Sequence, residues 1–222
     1  MRNTRINLPK QRDLIRRRGD WVVHYLGMKC PCSTTGDANR AQVSCPACGG
    51  TGWLYRDPVE IRGIIVGIQG QKDLAETGIA RPGDCVIIPD LAARQPGDYD
   101  LIKFTWTQGE PWEGELIRRG TGATDELYYE AAEVLACVTV DVATGAVTAY
   151  TPGLDFTVSG RTITWLTDRP QPAPGGLYSV KYNAFFEWVC FVPPGIRFER
   201  GDYLGERVLL RRRHLVFPRE VA

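Results

Sequence analysis

Four cysteines fall two by two in the run CPCSTTGDANRAQVSCPACGGTGW, residues 30–53. Cys30 and Cys32 form a C-x-C pair, twelve residues follow, and Cys45 and Cys48 form a C-x-x-C pair. Thiolates at this spacing hold a metal, bond to one another, or stay reduced. A structural zinc site takes four ligands in a tetrahedron, and thiolates supply enough free energy to fold a loop that has almost no core. Cys45-Pro46-Ala47-Cys48-Gly49 is a knuckle pattern, in which Gly49, Gly50 and Gly52 carry no side chain to obstruct the approach of backbone amides to the sulfurs. A zinc knuckle on Cys30, Cys32, Cys45 and Cys48 is therefore the preferred reading. The C-x-C bite is tighter than usual, which leaves His24 as a candidate to replace one of its thiols. A disulfide, bare reduced thiols and a redox pair are the alternatives. A thioredoxin-type C-x-x-C opens a helix after a strand, whereas glycines follow here.

Other chemistry is sparse. The chain has two histidines, His24 and His214, and neither lies in a G-x-S-x-G or H-E-x-x-H context; no P-loop or dinucleotide fingerprint appears. No catalytic residue is assigned, and the protein is expected not to be an enzyme. Glu110, Glu113, Glu115, Asp125 and Glu126 read as a solvated acidic face. Cys85, Cys137 and Cys190 sit in apolar runs and read as small buried hydrophobes.

Two basic features stand out against a net charge of +1. Residues 1–20 carry seven basic side chains, among them Arg12, Arg16, Arg17 and Arg18, against Asp13 and Asp20. Arg211-Arg212-Arg213-His214 is the second, with Arg211 and Arg213 projecting to one side of a strand and Arg212 to the other. These arginines are expected to face either the acidic surface of a neighbouring subunit or a phosphate backbone.

The elements that must position these groups are mostly strands. Leu14, Ile15, Arg18, Val22, Tyr25 and Leu26 recur near the helical period, which predicts a short amphipathic helix over residues 11–26, weakened by Gly19. Val59 and Ile61 alternate in one phase and Ile64, Val66 and Ile68 in the other, which predicts a bulge at Gly63. A single helical turn is expected over Asp73–Gly78, and strands over Cys85–Pro89, Asp100–Trp106 and Glu115–Arg119. Valines 138, 140 and 142 precede a turn at Thr144-Gly145. Phe156 and Val158, then Ser159-Gly160, then Ile163 and Trp165 give a two-residue hairpin signal. Tyr178, Val180 and Tyr182 share one face. The reading is mainly β: a small β-barrel and a second β module, with a four-cysteine zinc knuckle and a short N-terminal helix or arm.

A chain of 222 residues with 43% hydrophobic and 24% charged side chains can bury a sizeable core. No apolar run approaches bilayer length, so no membrane role is expected. The first residues lack a signal-peptide core, and cysteines, odd in number at seven, are expected to be reduced.

Several features carry a resemblance to known families. Cys45 to Gly52 matches one C-x-x-C-x-G-x-G repeat of the kind that DnaJ co-chaperones carry in several copies. From residue 59 onward the order of features resembles the head-completion, or stopper, proteins in the neck of tailed bacteriophages. The matching elements are Ile64-Ile65-Val66-Gly67-Ile68, Gly78 to Asp84 leading into Cys85-Val86-Ile87-Ile88-Pro89, Asp98-Tyr99-Asp100-Leu101-Ile102, and Gly114-Glu115-Leu116-Ile117. Residues Tyr150 to Phe156, Ile163-Thr164-Trp165 and Gly176 to Tyr182 are similar to a β module of virion structural proteins. Ahead of these elements the residues themselves predict a basic arm or helix at 1–28 and the knuckle at 29–58, which departs from the minimal stopper pattern. The resemblance implies a β-barrel at 59–128, an added β module at 129–188, and strands returning to the barrel at 189–222. It implies a homo-oligomeric ring in the virion neck, made in the bacterial host cytoplasm. The ring would join the capsid portal or adaptor to a tail terminator, tail tube or collar protein, and close or line the channel for packaged double-stranded DNA. The other reading of arm plus knuckle is a zinc-knuckle nucleic-acid-binding protein.

Overall fold

The computed structural model describes residues 8–33, 41–42, 45–67, 81, 83–105, 109–191, 198–199, 202–203 and 207–218. In chain order the described elements are helix α1 (Leu8–Arg18) and strands β1 (Asp20–Lys29), β2 (Trp53–Gly67), β3 (Cys85–Pro89) and β4 (Leu101–Phe104). Then come β5 (Glu110–Pro111), β6 (Glu115–Arg118), β7 (Thr124–Glu126), β8 (Glu130–Val140), β9 (Val147–Ala149), β10 (Phe156–Ser159), β11 (Thr162–Trp165) and β12 (Leu177–Phe185). The chain closes with β13 (Glu187–Phe191), a small hairpin of β14 (Phe198–Glu199) and β15 (Asp202–Tyr203), β16 (Val208–Arg212) and the single turn α2 (Arg213–Val216). The predicted turn at Asp73–Gly78 lies outside the described residues.

The chain divides into two compact units, residues 1–104 with 187–217, and residues 105–186 with 218–222. In the first, six antiparallel strands close into a barrel in the order β1-β2-β3-β16-β13-β4. Closure leaves no open sheet edge among these strands. Alternation sets the inner face: Val22 and His24 of β1, Ile61 of β2, Ile102 and Phe104 of β4, and Trp188 and Cys190 of β13 are all buried. Ile15 brings α1 into this core and is fully buried.

The helix is shorter than the sequence predicts, and the strand after it belongs to the barrel rather than to an arm at 1–28. Val22, Tyr25 and Leu26 fit a period of two as well as one of 3.6, and Gly19 decides between them. Its N–H donates to the Ile15 carbonyl at 2.8 Å, and its carbonyl accepts from Arg62 Nε at 2.9 Å. A Cβ there would stand 2.5 Å from the Ile15 oxygen, so this close approach of helix end and strand requires glycine.

The irregularity in β2 also falls elsewhere than predicted. Gly63 sits in an unbroken ladder, opposite Asp20 on one side and Pro89 on the other. The register slips instead between His24 and Leu26, which face Val59 and Arg56. Between those rungs β2 has two residues, Asp57 and Pro58, where β1 has one, Tyr25; Asp57 has φ +56°, and Pro58 has no N–H to give the ladder.

The second unit is built from a three-stranded sheet, β10-β11-β7, and a five-stranded sheet in which β12 lies between β5 and β8, β9 follows β8, and β6 also pairs with β12. Strands β5 to β7 thus belong here and not to a barrel at 59–128. The two-residue hairpin is present, with Ser159 paired to Thr162 and Gly160 at φ +60°; a second turn carries Gly145 between β8 and β9. Tyr178, Val180 and Tyr182 face one core, as expected, together with Phe156, Trp165, Tyr129 and Phe186.

Candidate metal centre

The cysteine module is the connection between β1 and β2. The hairpin ladder runs to Lys29 opposite Trp53 and continues one step further, with the Cys30 N–H donating to the Gly52 carbonyl at 2.8 Å. At this point the chain turns over Pro31 and Cys32, closed by Ser33 N–H to the Cys30 carbonyl at 3.0 Å. Proline suits such a turn because its φ is already set. On the opposite side, Gly49 N–H donates to the Cys45 carbonyl at 2.8 Å, and Gly49, Gly50 and Gly52 all take positive φ values of 59°, 82° and 74°. Thr51 Oγ1 donates to the Cys48 carbonyl at 2.7 Å and fixes the exit from the knuckle.

These two turns bring four sulfurs together. Cys30 Sγ lies 3.8 Å from Cys45 Sγ, Cys32 Sγ lies 3.6 Å from Cys48 Sγ, and all four sulfurs lie within 4.8 Å of one another. None is joined in a disulfide. A tetrahedron with metal–sulfur bonds of about 2.3 Å has edges of about 3.8 Å, so the residues fit a metal ion. Backbone donors reach the sulfurs as a metal–thiolate site requires. Gly52 N–H points at Cys48 Sγ at 3.3 Å, and amides of Cys48 and Ala47 serve Cys45.

Those amides lower the Cys45 thiol to about 7, with Cys48 N–H the larger contributor. Burial and the neighbouring Cys30 thiol push Cys32 up to about 12. Four crowded sulfurs cannot all ionise unaided; a cation that replaces their protons removes the conflict.

His24 is not part of this cluster. It is fully buried in the barrel, where Arg94 Nε donates to its Nδ1 at 3.1 Å; its Nε2 therefore carries the proton and donates to Asp100 Oδ2 at 2.7 Å. Arg94 also reaches the carbonyls of His24 and Asp57, at 2.7 and 2.8 Å, and so holds the bulge in β2. Burial alone would raise the Asp100 carboxyl. Hydrogen bonds from His24 and from the amides of Gly27 and Gly97 outweigh it and hold the group below its ordinary value.

The arginines divide into two sets. Arg12, Arg16, Arg17 and Arg18 are exposed on α1, with Arg17 bonded to Asp13 at 2.9 Å and Arg16 3.7 Å from Asp90. Arg211 and Arg213, expected to face a neighbour or a phosphate, pair inside the chain. Arg211 grips Asp84 through Nε and Nη2 at 3.1 and 2.8 Å, and Arg213 donates to Glu187 at 2.7 Å. Asp84 and Glu187 are both buried; Arg211 reaches its partner from β16, and Arg213 reaches its own from the first position of α2, not from the strand the sequence predicts.

The acidic face is also corrected in part. Asp125 is buried and accepts from Trp165 Nε1 and Tyr178 OH, both at 2.8 Å, and from Gly120 N–H. Glu115 accepts from Tyr182 OH at 2.7 Å. Burial, followed by these carboxylates, raises both phenols well above their ordinary value. Cys85, Cys137 and Cys190 are buried.

Compared with known proteins, the chain matches no family model, and no curated protein matches it. Among the described residues no helix is long and apolar enough to cross a membrane.

Proposed function

We propose that this chain is a structural, non-enzymatic component of a tailed-phage neck, a multi-copy ring between the capsid portal or adaptor and the tail, with zinc in the cysteine cluster. The observation that carries the reading is the closed six-stranded barrel with a separate β unit in one connection and a four-thiol clamp in another. A closed barrel offers a rigid frame without open edges, which suits a part that joins others by fitted surfaces. The order of features from residue 59 onward, similar to stopper proteins, supplies the specific assignment. Zinc is chosen because it takes four thiolates in a tetrahedron and has no redox chemistry to spoil a structural clamp.

The test is electron microscopy of lysates from a phage whose copy of this gene carries an early stop codon. Separate tails beside filled or leaking heads are expected. Normal infectious particles would refute the neck reading. The exposed arginines 12, 16, 17 and 18 of α1 favour one second reading, a zinc-knuckle nucleic-acid-binding protein. It predicts binding of free DNA by the purified chain that weakens steeply as salt rises.

A further inference from the structure

Two of the close sulfur pairs run across the module, while Cys32 also neighbours Cys30 and Cys45. Cys30 with Cys45, at 3.8 Å, and Cys32 with Cys48, at 3.6 Å, each tie the end of β1 to the knuckle before β2. A disulfide needs a sulfur separation of about 2.05 Å, so each pair must close by less than about 2 Å. We propose that the four thiols are a site of reversible oxidation by a peroxide, forming Cys30–Cys45 and Cys32–Cys48 disulfides as the metal leaves. This rests on the four-thiolate metal reading above. Covalent bonds then take over the same clamp that the metal provides.

Exposure sets the order of events. Cys32 is half-buried, whereas Cys30, Cys45 and Cys48 are buried. The Cys32 sulfur attacks a peroxide oxygen, the O–O bond breaks, and with one proton a sulfenic acid and a water form. Cys48 Sγ then attacks the Cys32 sulfur; the S–O bond breaks, an S–S bond forms, and a second proton releases the oxygen as water. Left with two ligands, the metal departs as a dication. Cys30 and Cys45 follow with a second peroxide. Four sulfurs lose four electrons, and two hydrogen peroxides with four protons become four waters.

The pairing matters to the fold. Bonds within each segment would leave the end of β1 and the knuckle untied, and a Cys30–Cys32 bond would close a small ring over Pro31, whose φ is fixed. Cross pairing keeps the last rungs of the hairpin, Lys29 opposite Trp53 and Cys30 N–H to the Gly52 carbonyl, where they are.

The experiment uses the full-length chain loaded with zinc, its metal content measured first, then titrated with hydrogen peroxide. A chromogenic chelator follows zinc release, a non-reducing digest with mass spectrometry maps the bonds, and hydrogen exchange follows the amides from Lys29 to Tyr55. Expected are one zinc released per chain, the two named disulfides, and amide protection equal to that of the zinc form and above that of the reduced, metal-free chain. Thiol reductant and zinc together restore the starting state. Bonds within either segment, the Cys30–Cys48 and Cys32–Cys45 pairing, sulfinic acids, or retained zinc overturn the proposal. A chain without metal at the outset defeats the metal reading instead, and its disulfide map still decides the pairing. In Cys48→Ser the Cys30–Cys45 bond is expected with Cys32 open to alkylation; a bond from Cys32 to Cys45 overturns the assignment.

Discussion

Among the described residues of the cysteine module the buried side chains are sulfurs, Cys30, Cys45 and Cys48, with Cys32 and Leu54 packed against them. In the unit of residues 105–186 they are rings. Trp165 stands edge-on to Tyr150 and Tyr178 with centroids 5.4 Å apart, and Tyr129 is edge-on to Phe186 at 5.0 Å. The described residues of the first region bury little apolar area beyond these sulfurs, so their order hangs on what the sulfurs bind. The second buries large rings around two carboxylates whose hydrogen bonds are met by phenols, an indole and amides. Coordination chemistry and apolar burial fail under different stresses, which is how the two can be told apart.

On the zinc reading proposed above, the largest effect is expected from removing the metal. Structural zinc contributes about 10–16 kcal/mol in small finger peptides, so a chelator, or Cys45→Ser with Cys48→Ser, is expected to abolish amide protection at residues 29–33 and 45–55. Hydrogen exchange checks this, and the second unit keeps its protection; loss of both together would erase the contrast. Acid acts the same way. Metal binding displaces thiol protons, so affinity falls as pH falls, and acid titration followed by metal release reads it.

Next in size is Trp165→Ala, which removes a buried ring from the second unit. A loss of about 3–5 kcal/mol in denaturant unfolding is expected, with zinc content unchanged. A drop in bound zinc would show that the two regions are not independent.

Asp100 sharpens the comparison with the barrel that carries the module. Its carboxyl is held below the ordinary value, so its contribution is full above the unfolded pKa and is lost as pH falls through the lower folded value. Asp100→Asn is expected to cost about 1–3 kcal/mol at neutral pH and to flatten the acid limb of the stability profile. An unchanged acid limb would count against the node. Smallest is Arg17→Ala, which breaks an exposed pair with Asp13 and is expected to move stability by less than about 0.5 kcal/mol, measured by thermal unfolding.

The thiol cluster is legible in the sequence because its four members lie close together and carry their own turn residues. So are most strands of the second unit, where Phe156, Val158, Ile163 and Trp165 alternate around a glycine turn. The His24 node is not. Its partners Asp100 and Arg94 lie 76 and 70 residues away, and only barrel closure brings them to it. Arg211 and Asp84 meet for the same reason, 127 residues apart. Residues 20–29 mislead because valine and tyrosine at those spacings satisfy two periods at once. The bulge does have a signal in the sequence: Pro58 inside a strand, a residue without the N–H that a ladder uses.

The chain leaves the barrel after Phe104 and re-enters it at Glu187, and Lys103 is paired with Glu187 across two antiparallel strands. The barrel's own wiring at that point is therefore a tight hairpin with eighty-odd residues let into its tip. For protein engineering this marks a splice site. Residues 105–186 can be exchanged for a turn of about two to four residues, or for a foreign domain with adjacent ends, without redrawing a single rung of the barrel.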